Sequence, residues 1–110
     1  MEIKTSTQDG VTIVTPVGRV DTSTAKAFED GVMGAIDSNN KIAIRFNEID
    51  YISSAGLRVV LMAGKKLTAS KGVLVIIDIP DKILSIFKMS GFDKILKICQ
   101  SFEESKAFFN

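Results

Sequence analysis

Ser53 and Ser54 stand side by side where an apolar strand pattern passes into a helical one, and Gly56 and Leu57 follow directly. A hydroxyl at such a place has two kinds of chemistry open to it. It can cap the helix, whose first backbone N–H groups have no partner within it, a role worth about 1 kcal/mol. It can also carry phosphate, which adds roughly 1.5–2 negative charges at neutral pH and meets the positive end of the helix dipole. Gly56 is costly inside a first helical turn unless another backbone or a phosphate comes close there. A phosphate on Ser54 would obstruct a flush protein interface by repulsion and desolvation without unfolding the domain. From the pattern alone either serine can be the cap, and a plain structural cap accounts for both.

A second segment, Val17-Gly18-Arg19-Val20-Asp21-Thr22-Ser23, has the same strand-to-helix character, with Asp21 placed as a helix N-cap. In α/β sheets functional loops gather at the carboxyl ends of strands, so both segments are expected at one end of the sheet. Arg19 and Arg58 lie close in sequence to these loops and read as solvated surface charges. Met62, Met89 and Phe92 read as core or rim.

Composition closes most other chemistry. The chain has no histidine, which removes Ser-His-Asp and Cys-His catalysis and the common His-based zinc sites. Cys99 is the single cysteine, so no internal disulfide is possible, and its apolar setting predicts an inert buried thiol. No GxxxxGK[ST] phosphate loop is present. The expectation is a protein that is not an enzyme, with no catalytic residue, no metal and no cofactor. A net charge of +1 argues against nucleic acid as a direct ligand. No apolar run approaches the ~18 residues that span a bilayer, and Met1 to Thr5 lacks a signal-peptide core. A cytoplasmic location without a membrane partner is expected.

With 110 residues, 45% hydrophobic and 25% charged, the chain suits one domain spanning 1–110. Residues 2–7 and Val11 to Val17 read as strands joined at Asp9-Gly10, a favoured tight-turn pair. Pro16 is expected near a strand end or bulge. A helix runs from Asp21 with Ala25, Phe28, Val32, Ala35 and Ile36 on one face, and ends at Ser38-Asn39-Asn40. Lys41 to Phe46 alternates as a strand. Residues 53–71 form a second helix with a stripe of Leu57, Val60, Leu61, Gly64 and Leu67, stopped by Gly72. Val73 to Ile77 is apolar throughout, as in a strand covered on both faces. Pro80 opens a third helix, and Gly91 closes it. Ile95 to Ile98 reads as a short strand, and Ser101 with Glu104 as a capping box for a last helix through Phe108. The order β-β-α-β-α-β-α-β-α implies an α/β fold with a mostly parallel sheet opened by an N-terminal antiparallel hairpin.

The segment Asn47-Glu48-Ile49-Asp50-Tyr51-Ile52-Ser53-Ser54-Ala55-Gly56-Leu57-Arg58-Val59-Val60-Leu61 resembles the signature of bacterial anti-sigma factor antagonists. These are stand-alone members of the sulfate transporter and anti-sigma factor antagonist (STAS) domain family. Gly18-Arg19-Val20-Asp21 is similar to the family's loop before its first helix, and the element order matches over nearly the whole chain. The resemblance implies a partner-switching cycle. An antagonist binds an anti-sigma factor that is also a serine kinase and so frees a sigma factor for transcription. Phosphorylation of a serine, here Ser54, ends the binding, and a PP2C-type phosphatase resets it. Asp21, Ser53, Gly56, Leu57 and Arg58 are then the expected kinase-docking and partner-binding residues. Three positions depart from the family pattern: Ser53 and Arg45 stand where acids are usual, and Ala55 where Ser or Thr is. The other role open to this family is that of a non-phosphorylated subunit of a scaffold or lipid-transport complex.

Overall fold

Asp9 and Gly10 both take positive φ, 52° and 80°, the pair of left-handed residues that a two-residue hairpin turn requires. They join β1 (Glu2–Gln8) to β2 (Val11–Val20) in an antiparallel pair, with Glu2 opposite Val17 and Gln8 opposite Val11. The computed structural model describes residues 1–109, and the remaining elements follow in alternation. They are α1 (Ala25–Ser38), β3 (Lys41–Arg45), β4 (Ile49–Ile52), α2 (Ser54–Ala69), β5 (Val73–Ile77), α3 (Asp81–Met89), β6 (Lys97–Ile98) and α4 (Phe102–Ser105). Single 3₁₀ turns occupy Phe92–Lys94 and Lys106–Phe108. The sheet order is β1-β2-β3-β5-β6, parallel beyond the hairpin, with β4 paired to β2 off this path. The fold is therefore the expected α/β domain with a mixed sheet.

Period-two alternation divides the core between the two faces of the sheet. Ile42, Ile44, Leu74 and Ile76 point to one face, against Phe28 and Val32 of α1, Val60 and Leu67 of α2 and Ile83 and Phe87 of α3. Ala43, Val75 and Ile77 point to the other, with Val11 and Ile13, and are covered by Cys99, Phe102 and Phe109. The expectation that Val73–Ile77 is covered on both faces holds. Cys99 is buried as expected, and burial, with Glu104 nearby, pushes its thiol up from the ordinary value. Among the described residues no helix is long and apolar enough to cross a membrane.

Several features differ from the sequence reading. Strand β4 adds an element absent from the expected order. Pro16 lies inside β2, close to the bulge at Gly18/Arg19 rather than at the strand end. The ladder to β3 covers Thr12 to Val14 and the ladder to β4 resumes at Gly18, so that edge of β2 has no partner at Pro16 and loses no bond there. Helix α1 begins at Ala25 with Thr24 at its N-cap, not at Asp21. The stripe of α2 is Gly56, Leu57, Val59, Val60, Ala63 and Leu67, while Leu61 and Gly64 sit at its flank. Met89 is 87% exposed and belongs to neither core nor rim. The last helix is one turn long before it tightens into 3₁₀ geometry.

Candidate functional site

Strand β2 is long enough to serve two neighbours in succession. Its first half pairs with β3 and its last residues with β4, through Gly18↔Ile49, Arg19↔Tyr51 and Val20↔Ile52. A bulge between Gly18 and Arg19 adjusts the register. Because Val20 and Ile52 are parallel partners, Asp21 and Ser53 leave the sheet side by side, about 4.8 Å apart strand to strand. The Ser53 N–H donates to the Val20 carbonyl at 2.7 Å and extends that pairing to the mouth of α2. The two loops expected at one end of the sheet are thus brought together.

Each loop fixes its own conformation. One Asp21 carboxylate oxygen accepts from the Ser23 N–H at 3.0 Å, the Ser23 hydroxyl at 2.7 Å and the Thr24 N–H at 3.2 Å. Asp21 thereby caps the turn that leads into α1. The Ser23 hydroxyl, against desolvation and with the help of the backbone donors of Ser23 and Thr24, holds its carboxyl below the ordinary range. In the second loop the Gly56 N–H donates to Ser53 Oγ at 3.3 Å, which makes Ser53 the N-cap of α2. The choice between the two serines is thereby decided. Ser54 is the first residue of the helix, is exposed, and its hydroxyl is not engaged in capping.

Gly56 is there because of packing. A Cβ on it would lie 2.6 Å from Val20 Cγ1 and 2.7 Å from Ile52 Cγ1, both side chains fully enclosed in the core. The first turn of α2 rests directly on the ends of β2 and β4. Gly56→Ala gains about 1 kcal/mol of helix propensity but overpacks a closed site at a cost of about 1–3 kcal/mol. Net loss of stability is expected, read as a lower urea midpoint at unchanged slope; a rise in midpoint would show that the contact is not tight.

Arg58 is exposed one turn beyond Ser54, whereas Gly56 and Leu57 are buried and act through packing. Arg19 is exposed, as its reading as a solvated charge expects, and it also lies 4.6 Å over the ring of Tyr51, its cross-strand partner, and 3.6 Å from the Asp21 carboxylate. This pairing depends on β4, so no local pattern announces it. Arg45, at the end of β3, bonds Asp78 after β5 at 2.8 Å.

A family model, that of the STAS domain, matches residues 2–105. The chain belongs to the STAS domain family. A curated relative from Bordetella bronchiseptica, BtrV, is 33% identical over 102 residues, covering 92% of this STAS chain and 88% of the relative. BtrV carries a provisional description as an anti-sigma factor antagonist. Among solved structures, a protein of Thermotoga maritima provisionally described in the same way superposes with a TM-score of 0.88 at 21% identity, covering 96% of this chain and 92% of that one. The Bacillus cell-fate determinant SpoIIAA in its phosphorylated form gives a TM-score of 0.70 at 16% identity over 96% and 97% of the two chains. At these identities the two structures establish the fold.

Within this STAS domain Ser53 and Arg45, where the resemblance implies acids, each have a local structural role. Serine and aspartate are near-equal N-caps, so Ser53 performs the local task that an acid there would perform. Arg45, at the end of β3, is balanced by Asp78 on the exit of the neighbouring strand β5.

Proposed function

We propose that this STAS domain is an anti-sigma factor antagonist: it binds an anti-sigma factor that is also a serine kinase, and phosphorylation of Ser54 ends the binding. A PP2C-type phosphatase restores the unphosphorylated form, and the cycle regulates sigma-factor-dependent transcription in the cytoplasm. The chain itself catalyses nothing. Asp21, Ser53 and Arg58 supply contacts to the partner, while Gly56 and Leu57 keep the first turn of α2 seated beneath it.

The observation that carries this reading is the division of labour between the two serines. Ser53 takes the cap, and Ser54 is left exposed on a helix start that is pinned to the sheet. A kinase can reach that hydroxyl without unfolding anything. The relation to BtrV supports the class of partner.

The test is intact-mass analysis after incubation with a purified anti-sigma kinase and ATP. The wild-type chain is expected to gain one phosphate and Ser54→Ala none. Equal phosphorylation of Ser54→Ala would displace the acceptor to another residue, with Ser53 first in line.

A further inference from the structure

Ser54, Arg58, Leu61, Lys65 and Thr68 recur at helical spacing along α2, so they form one line on its outer face. Seven residues beyond Ser54, roughly 10.5 Å along the axis, this line enters an open groove of about 420 Å³. Leu61, Gly64, Leu74 and Leu96 line it, and Ile95, 63% exposed, forms part of its wall. Gly64 leaves room there: a Cβ would make only ordinary contacts, 3.5 Å to Leu96 and 3.7 Å to Leu74. The polar residues at the groove include two cations, Lys65 and Lys97, and no acid. Among the described residues Arg58, Lys65 and Lys97 make no ion pair, and Lys97 only faces the Phe108 ring at 6.0 Å.

We propose that this groove is the second contact point of the protein that reads Ser54, receiving an apolar side chain flanked by carboxylates that meet Lys65 and Lys97. The inference rests on the partner-switching reading. Two features favour a protein over a small ligand. The groove is open and continuous with the Ser54–Arg58 face on one rigid helix, and its cations come from two elements, Lys65 of α2 and Lys97 of β6, rather than being gathered at one end of a closed cavity. Hydrophobic anchors ringed by complementary charge are the usual form of an interface hot spot. A second point of contact away from the modified serine would set which kinase is accepted, while Ser54 sets whether binding occurs at all.

The experiment titrates the wild-type chain, the double variant Lys65→Glu/Lys97→Glu and Gly64→Leu against the purified kinase that phosphorylates Ser54. Calorimetry gives Kd and intact-mass time courses give phosphorylation kinetics. Both lysines are exposed, so the double variant should melt with the wild type. Its Kd and KM are expected to rise about tenfold or more with kcat little changed, as for lost complementary charge. Gly64→Leu, which fills the groove, should also weaken binding. Unchanged Kd in both variants, with Ser54 still phosphorylated, overturns the groove and leaves the switch standing. A wild-type chain that gains no phosphate overturns both. Native mass spectrometry decides a third outcome. An amphiphile held by the wild type and absent from Gly64→Leu, with kinase affinity unaltered, assigns the groove to a small ligand and overturns the proposal.

Discussion

Phe46→Ala is expected to remove about 3–5 kcal/mol of stability, a large share of the roughly 5–15 kcal/mol available to a domain of this kind. Phe46 is fully buried directly after β3, with Phe28 of α1 at 6.2 Å between ring centroids and Phe87 of α3 at 5.9 Å. Both ring pairs are tilted by 51°, a geometry that adds about 0.5–1.5 kcal/mol per pair beyond area burial. Truncation leaves two helices facing one cavity that neither can fill alone. Equilibrium urea unfolding should show a much lower midpoint with little change in slope. Phe46→Leu, which keeps most of the volume, should lose far less. A loss under about 1 kcal/mol for Phe46→Ala, below the range for buried aromatic truncations, would mean that the cavity collapses freely.

Ser54→Asp is expected to move stability and binding in opposite directions. At the first position of α2 an added carboxylate lies near the positive helix end and one turn above Arg58, so stability should hold or rise by about 0.3–1 kcal/mol. In a partner interface the same carboxylate is stripped of water and unpaired. The affinity for the kinase should fall by about a hundredfold or more, within the 2–5 kcal/mol typical of a buried uncompensated charge. Ser54→Ala should bind as the wild type does. Melting curves and calorimetric titration of the same samples read both effects. Retained affinity in Ser54→Asp would remove charge at Ser54 as the switch, whatever modification occurs there.

The parts of this fold that could be read in the sequence are those whose cause is local. The strand read over Lys41–Phe46, which forms as Lys41–Arg45, the apolar run Val73–Ile77 and the Asp9-Gly10 turn each follow from the residues themselves, and each is observed. Strand β4 is different. Its four residues have a buried–exposed–exposed–buried pattern, with no alternation to find. It is a strand because β2, some thirty residues upstream, offers it an edge. The site shows the same division. Ser53, Ser54 and Gly56 stood out by type and spacing, but which serine caps the helix depended on a single hydrogen bond. The Arg19–Tyr51 stack, the Arg45–Asp78 pair and the groove beside α2 all join residues far apart in the chain, and residue type alone gives no sign of them.

The second face of the sheet has a further consequence. Its strands come from Val11 to Ile77, yet the rings that cover them, Phe102 and Phe109, lie downstream of all of them. As the polypeptide leaves the ribosome, the helical face can close while Ile13, Val75 and Ile77 are still bare. Unshielded apolar strands in a partly made chain are prone to aggregate. This stretch of synthesis is therefore where chaperones would be needed most, and cutting the gene before Phe102 should yield inclusion bodies rather than a weakened but folded domain.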